Sequence, residues 1–457
     1  MWARAAAVLL AGALAAACSR SAPADQPAEH TAPAAGTTPA TPTDWPMYHR
    51  TPDRAGLSPD TPAVRSVSRA WAATLDGQVY GSPIVAGGRL FVATEHNMVY
   101  ALDPRTGHML WRRFVGVPVP LSSLPCGNID PLGITGTPVY DATTQRLYAV
   151  AETRLDGGVR HHLVGLDAAT GAVRLRRSAD PPNQDPEPMQ QRAALGLVAG
   201  VVYVAYGGLD GDCGPYHGHV VGVPVDPAKP QVSFRVPVGR EGGIWAASGP
   251  AQRAAGGLLV AIGNGNSTTT FDGSDSVTAL SLPSLHETSL FAPAQWRADN
   301  AADADLGSMG PAPLPDGRVI AAGKSGEVYL LAAGDLGGIG GELTKLRGCR
   351  AFGGAAVSSG VGYLPCDGGL RQVKVGPGNH LAFGWRASGT AGSPVIGGGA
   401  VWSLDTDSGV LYAFDAATGR VRARTDVGAV THFATPALWG NYVFVGTQHG
   451  VVATLVG

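Results

Sequence analysis

Two acidic residues, Asp303 and Asp305, lie two positions apart in a stretch of small residues and are candidates for acid–base chemistry. In an extended segment, side chains at positions i and i+2 fall on the same side. Two carboxylates placed in this way could serve as a metal ligand and a general base. The alternative is that both residues belong to a turn, where Asp is common.

Other arrangements of reactive residues are weak. His217 and His219 would put two imidazoles on one face of a strand, but two ligands alone make a weak metal site. The Gly-rich run at residues 337–341 lacks the strand-to-helix context of a phosphate-binding loop, and no nucleophile elbow occurs in the sequence. Phosphoryl transfer and hydrolysis therefore have no support.

Composition excludes nucleic acid as a partner. Charged residues make up 15% of the 457 residues and the net charge is −2. Phosphate binding needs a basic surface that this balance does not offer. Gly accounts for 65 residues, an excess that is typical of many tight turns between short strands.

The N-terminus predicts export. Residues 1–18 carry Arg4, an apolar stretch too short to span a bilayer, and an Ala-Ala-Ala-Cys ending at Cys18 that resembles a bacterial lipoprotein signal. In such signals the Cys becomes the lipidated N-terminus. The alternative is cleavage after an Ala-x-Ala site and release of the protein.

Residues 19–43 contain five prolines and no aromatic or large aliphatic residue, which predicts a disordered tether. Together with the signal, this tether predicts a protein that is exported and anchored by lipid to the outer face of the cell membrane, or is periplasmic.

The elements that must position the acidic pair are repeats. One phrase, an alternating apolar strand that ends in Asp and continues into a Thr-Gly turn, occurs at residues 100–107, 164–171 and 412–419. Self-similarity at a period of about 40–50 residues marks a propeller or solenoid. Weaker copies fill the middle of the chain.

Counting the repeats predicts an all-β fold, an eight-bladed antiparallel β-propeller over residues 44–457, with seven blades as the fallback. The units start near residues 80, 134, 192, 243, 307, 352, 390 and 432. Because the last unit ends after three strands, we expect residues 70–75 to supply its fourth strand and so close the ring.

Four cysteines remain besides Cys18, and an even number in an exported protein favours disulfides. Cys349 and Cys366 are close enough in sequence to pair across neighbouring strands of one blade, which would leave Cys126 for Cys213. Three connectivities exist for four cysteines, and the sequence alone does not choose among them.

The phrase at residues 100–107, Tyr-Ala-Leu-Asp-x-x-Thr-Gly, followed by Trp111, resembles the repeat of pyrroloquinoline-quinone (PQQ)-like β-propellers, and the resemblance covers residues 44–457. In that family an aromatic ring near the end of one blade docks onto the next. Only Trp111 keeps the ring, because Leu175 and Ala423 hold the equivalent places, so we expect this dock to be lost elsewhere.

The family contains quinoprotein dehydrogenases, which hold PQQ and usually Ca²⁺ on the propeller axis, and cofactor-free scaffolds or binders. By resemblance to the dehydrogenases, seven residues would form a quinone site: Trp245, Lys324 and Arg192 at the cofactor, Asp212 and Asn264 at Ca²⁺, and Asp303 and Asp305 as the catalytic base. Each also has a structural interpretation, such as filling the central channel, holding a turn or facing solvent.

The dehydrogenases also carry two adjacent cysteines that cover the quinone, and no such pair occurs here. We therefore expect a monomeric binding or scaffold module without a cofactor or chemistry of its own. Its partner would be an envelope protein or a small ligand at the propeller face, and a lipid anchor would be its sole contact with the membrane. The alternative is a divergent PQQ-dependent dehydrogenase that oxidises an alcohol or sugar with PQQ and Ca²⁺.

Overall fold

A computed structural model describes residues 42–457, so that Cys18, the predicted signal and almost all of the predicted tether lie outside the described residues. Within this range the chain forms eight antiparallel sheets. The sheets are blades arranged in a ring, which confirms the predicted eight-bladed β-propeller.

Each blade starts with a short strand beside the axis, and these innermost strands contact one another around the ring. Blades one to four consist of β2–β5 (Ile84–Ala86, Arg89–Ala93, Met98–Leu102, Met109–Phe114), β6–β9 (Val139–Asp141, Arg146–Leu155, Gly158–Asp167, Val173–Ser178), β10–β14 (Met189–Gln190, Gly196–Val198, Val201–Gly208, His219–Pro224, Val232–Arg235) and β15–β18 (Ala251–Gln252, Leu258–Ile262, Ser276–Leu280, Glu287–Ala292). Blades five to eight consist of β19–β21 with β23 (Ala312–Pro313, Arg318–Ala322, Glu327–Ala332, Thr344–Arg347), β24–β27 (Ala356–Ser358, Val361–Cys366, Gly369–Val375, Leu381–Ser388), β28–β31 (Val395–Gly397, Ala400–Asp405, Val410–Asp415, Val421–Asp426) and β32–β34 (Ala437–Trp439, Tyr442–Thr447, Gly450–Val456) with β1 (Val67–Thr74).

The short elements between blades are few. Strand β22 (Gly338–Ile339), from the Gly-rich run, adds a parallel fifth strand to blade four. The helix α1 (Trp296–Ala301) and the single 3-10 turns Leu121–Ser123, Leu306–Ser308 and Pro377–Asn379 complete the regular structure. No helix in the described range is long and apolar enough to cross a membrane.

The N-terminal strand closes the ring as predicted. Strand β1 pairs antiparallel with β34, from Val67 opposite Val456 to Thr74 opposite Gly450. It begins at Val67, slightly before the predicted strand at residues 70–75. The last blade thus has four strands, and its edge is covered.

The repeated phrase forms a tight turn whose Asp caps it. In each copy, one carboxylate oxygen accepts hydrogen bonds from the backbone N–H groups two and three residues later, at 2.8–3.1 Å. The glycine that ends each turn has a positive φ of 69–73°, at Gly107, Gly171 and Gly419. Only a residue without a β-carbon adopts this conformation at little cost.

Each of these three glycines lies against a tryptophan of the preceding blade. The indole N–H of Trp71 donates to the carbonyl of Pro104 at 3.2 Å, that of Trp111 to Ala168 at 3.0 Å, and that of Trp385 to Ala416 at 3.0 Å. The prediction that only Trp111 keeps the dock is therefore wrong. Each docking ring belongs to the outer strand of the blade before the phrase, and the other two rings are on β1 and β27.

The segment before β1 ties the inner strands together. Trp45 forms a bridge with Val85 of blade one, and the carbonyl of Gly56 accepts from Ile396 of blade seven. Between them, the buried guanidinium of Arg54 donates to the carbonyls of Tyr48, Leu195 and Pro250. Burial of this charge is tolerated because every bond goes to a backbone acceptor.

Both disulfides form as predicted, Cys349 with Cys366 and Cys126 with Cys213. The Cys349–Cys366 bond does not link two neighbouring strands of one blade, as expected from the sequence. Cys349 lies in the connection after β23 and Cys366 at the end of β25, so the bond joins the connection between blades five and six to blade six. The second joins the connection after blade one to the long β12–β13 loop of blade three.

Candidate functional site

A cavity of about 120 Å³ lies near the propeller axis and is lined by six of the seven residues predicted from sequence. The lining contains Arg192, Asp212, Trp245, Asn264, Asp305 and Lys324. The seventh, Asp303, is bonded to Lys324, since its Oδ1 lies 2.8 Å from the lysine Nζ. The residues that sequence reasoning singled out therefore converge.

Connections of three consecutive blades carry these side chains. Arg192 precedes β11 and Asp212 lies in the β12–β13 loop of blade three, whereas Trp245 is in the segment that leads to blade four. Asn264 follows β16, and Lys324 is in the β20–β21 turn. Blades three to five and their connections therefore supply all of these groups.

Lys324 is held between two carboxylates. Its Nζ lies 2.7 Å from Oδ2 of Asp305 and 2.8 Å from Oδ1 of Asp303. Burial acts to lower the pKa of Lys324, but the two carboxylates outweigh it and the pKa is raised. The ammonium thus stays charged at neutral pH, and its charge is already compensated by the protein.

Asp305 is fully buried, whereas Asp303 is exposed. Burial raises the pKa of Asp305 to about 6, against the opposing effect of the Lys324 ammonium. Its Oδ1 has no hydrogen-bond partner among the described residues. Asp305 is consequently the carboxylate of this pair that can accept a proton or a cation near neutral pH.

Trp245 is half-buried and contacts two other side chains. Its ring centroid is 5.5 Å from the Lys324 Nζ and 6.2 Å from the centroid of Phe433, which approaches edge to face from the connection before blade eight. Phe433 in turn lies 5.4 Å from the Arg192 guanidinium carbon. The indole therefore forms one wall of the cavity, with cationic groups on both sides of this aromatic pair.

The two predicted metal ligands both line the cavity. Asp212 has a positive φ of 49°, and its Oδ1 accepts a 2.5 Å hydrogen bond from the Tyr216 hydroxyl. The backbone carbonyl of Asn264 accepts from the Gly242 N–H at 2.8 Å, which orients that loop. In the described part of the chain, no group of three or more His, Cys, Asp or Glu side chains is arranged to hold a metal.

The charge of the lining is slightly negative. Arg192 and Lys324 face three carboxylates, those of Asp210, Asp212 and Asp305. A volume of about 120 Å³ is also well below the roughly 300 Å³ at which pockets begin to enclose a drug-sized ligand. The cavity suits a small neutral or cationic group.

Some features were not predicted. Tyr216 and Asp210 line the cavity, but neither belongs to a motif that marks it in the sequence. The predicted imidazole pair does not form a site, because His217 contacts Gln184 and Gly239 while the Nδ1 of His219 contacts the His217 carbonyl at 2.9 Å. Both rings are engaged by neighbouring polar groups.

Comparison with known proteins identifies the fold. A family model described as outer membrane protein assembly factor BamB matches residues 66–208. No curated protein sequence matches the chain.

Among solved structures, quinohemoprotein alcohol dehydrogenase from Comamonas testosteroni has a TM-score of 0.69 at 16% identity, over 90% of this chain and 80% of that chain. A europium-containing methanol dehydrogenase has a TM-score of 0.69 at 14% identity, over 91% and 98% of the two chains. BamB from Moraxella catarrhalis has a TM-score of 0.56 at 14% identity, over 86% and 98%. At these identities the likeness establishes the fold, which dehydrogenases and an assembly factor share.

Proposed function

We propose that this chain, which is a PQQ-like repeat β-propeller, is an exported binding module of the cell envelope that takes a small neutral or cationic ligand in its axial cavity. The observation that carries the proposal is the convergence of Arg192, Asp212, Trp245, Asn264, Asp305 and Lys324 on one cavity. A half-buried indole offers an apolar wall, while carboxylates and an amide offer acceptors for hydroxyl or ammonium groups.

The charge and size of the cavity favour this ligand class. A trianionic tricyclic quinone such as PQQ would have to enter a cavity of about 120 Å³ whose three carboxylates outnumber its two cationic side chains. The Lys324 ammonium, which would meet the quinone oxygens, is bonded to Asp303 and Asp305. The space and charge of the cavity therefore do not fit PQQ, and we derive no redox step.

A quinoprotein dehydrogenase is the second candidate, and two observations favour it. The residues that its cofactor would require lie together, which they need not do in a module that binds partners only through its outer surface. The second observation is that Ca²⁺ prefers carboxylate and amide oxygens as ligands. The cavity offers such oxygens on Asp212, Asn264 and buried Asp305, whose Oδ1 has no hydrogen-bond partner among the described residues.

Thermal unfolding with defined probes tests the proposal. Ethanolamine and glucose represent the cationic and neutral classes, and citrate represents the anions. We expect at least one of the first two to raise the melting temperature of the wild type but not of Trp245→Ala. Citrate, assayed in excess CaCl₂ because it chelates calcium, should have no effect. The matched control is Phe114→Ala, an exposed aromatic on β5 that should leave the response intact. Stabilisation by citrate alone would contradict the proposed ligand class.

Membrane attachment is a separate part of the proposal and rests on the sequence around Cys18. We expect Cys18→Ala, cleaved at the Ala-x-Ala site, to move from the membrane fraction to the soluble exported fraction, because the tether after residue 18 has no aromatic or large aliphatic residue to hold it. Fractionation followed by mass spectrometry of the N-terminal peptide checks this. A variant that stays with the membrane without lipid would refute the anchor.

A further inference from the structure

A second group of buried polar atoms lies between blades one, two and three. We name Glu95, Asn97, Glu152 and Gln191 the interior oxygen cluster. All four residues are at most 3% exposed, and none lines the axial cavity. Each has one side-chain oxygen, Oε1 or Oδ1, without a hydrogen-bond partner among the described residues. The Thr135 hydroxyl, also unpaired, is the side-chain donor beside Glu95. A buried acceptor without a hydrogen-bond partner lowers the stability of the folded state. Four such acceptors in one region indicate that a bound group supplies the missing contacts.

Contacts connect these side chains to one another. Glu95 and Asn97 lie in the β3–β4 turn, and the Asn97 Nδ2 donates to the carbonyl of Glu152 at 2.7 Å. The other carboxylate oxygen of Glu95 accepts from the Gly133 N–H at 2.7 Å. A β-carbon at Gly133 would lie 2.9 Å from the Asn97 Oδ1, so both polar groups surround this glycine. The backbone N–H of Gln191 lies close to the Glu152 carboxylate, so the four residues are neighbours.

The two amides present their oxygens to the interior. Asn97 is oriented by the bond from its Nδ2 to Glu152, and Gln191 by a 2.5 Å bond from its Nε2 to the carbonyl of Ala193. Exchanging nitrogen and oxygen in either amide would bring two oxygens together. The free atoms are consequently acceptors, and the occupant must be a donor or a cation.

The carboxylates lack a full set of counter-charges. Glu152 lies 3.3 Å from the Nε2 of His161, but that imidazole also contacts Asp180 at 3.1 Å. Glu95 forms no ion pair with any described residue. Arg192 is near enough to attract its carboxylate electrostatically but does not bond to it. An ionised carboxylate at this depth requires compensation by a positive charge.

We propose that the interior oxygen cluster binds a hard cation of the Ca²⁺ type, with Glu95 and Glu152 as charged ligands and the oxygens of Asn97 and Gln191 as neutral ones. Ca²⁺ accepts six to eight oxygen ligands, including carboxylates, amide oxygens, backbone carbonyls and water. The ion would join blades one, two and three near the axis and would stabilise their packing. It is distinct from any ion at Asp212 and Asn264.

The test compares metal content and thermal unfolding of full-length protein. After dialysis against EDTA and then CaCl₂, we expect one equivalent of calcium to stay bound through gel filtration and the melting temperature to rise by several degrees. Glu95→Gln should lose the retained calcium and the rise. The double variant Asp212→Asn/Asn264→Ala, which alters only the axial cavity, should keep both, so failure here and failure of the proposed function are distinguishable.

Other outcomes overturn the proposal. If the wild type retains no calcium and its melting temperature is the same in EDTA and CaCl₂, the acceptors are met by water or by a protonated Glu95. If calcium is lost in the axial double variant but kept in Glu95→Gln, the ion lies in the axial cavity. Should Glu95→Gln fail to fold, the wild type and the axial double variant alone decide between these results.

Discussion

The tryptophan dock predicts a large, local loss of stability on truncation of Trp111. Its indole packs on Gly171 and donates to the Ala168 carbonyl at 3.0 Å, and its ring also contacts Phe91 at a centroid distance of 5.9 Å. Trp→Ala in a core costs about 3–5 kcal/mol. Because Trp111 is only half-buried, we expect Trp111→Ala to cost about 3 kcal/mol, including about 1 kcal/mol for the hydrogen bond.

Phe114 provides a matched control on the same strand. It is 51% exposed, and Phe114→Ala should change stability by no more than about 0.5 kcal/mol. Urea unfolding followed by far-UV circular dichroism is the assay, because it does not depend on tryptophan emission. Equal midpoints for the two variants would refute the dock as a source of stability.

A double-mutant cycle sharpens this test. A β-carbon at Gly171 would lie 2.6 Å from the Trp111 ring, at a positive φ of 69°. Gly171→Ala should therefore cost more in the wild type than in Trp111→Ala, where only the backbone strain remains. Additive effects would mean that the ring and the turn do not touch in solution.

Two further predictions concern ring closure and pH. Deleting residues 45–75 removes β1 and exposes the edge of β34. The protein should then aggregate or lose cooperative unfolding. A deletion variant that melts like the wild type would contradict closure of the ring by this strand. The carboxylates of Glu152 and Asp180 outweigh the effect of burial and raise the pKa of His161 to about 9. Since the ordinary pKa of histidine is about 6.5, the folded state binds this proton more tightly than the unfolded state does. About 3 kcal/mol of unfolding free energy should therefore be lost as the pH rises from 6.5 to 9. Urea unfolding in EDTA at both pH values checks this, and a stability that rises with pH would refute it.

The sequence predicted the blade number because each repeat carries its own signals, an alternating strand and an Asp-capped turn that depend on neighbouring residues alone. It also predicted most of the residues that now line the axial cavity, since the family pattern marks positions such as Trp245 and Lys324 one by one. The docks at Trp71 and Trp385 were missed because neither ring follows a clear copy of the repeated phrase: Trp71 lies on the N-terminal strand β1 and Trp385 on β27 of blade six. That contact depends on the order of blades around the ring.

The interior oxygen cluster was missed for a related reason. Glu152 and His161 are opposite each other on β7 and β8, and polar residues on such strands usually face solvent. They are buried here because this end of the hairpin lies against the connections that carry Gly133 and Gln191. Burial of this kind depends on contacts among three blades, which no local pattern encodes.

The measurement that most directly tests the central claim is the melting temperature in CaCl₂ with and without PQQ, for the wild type and for Trp245→Ala. Calcium is present throughout, so that an ion in the interior oxygen cluster contributes equally to every sample. A ligand at 100 times its Kd would stabilise the fold by about 2.7 kcal/mol, which a thermal shift detects. We predict that PQQ changes neither melting temperature. A rise in the wild type that is absent in Trp245→Ala would contradict it and establish a quinone site.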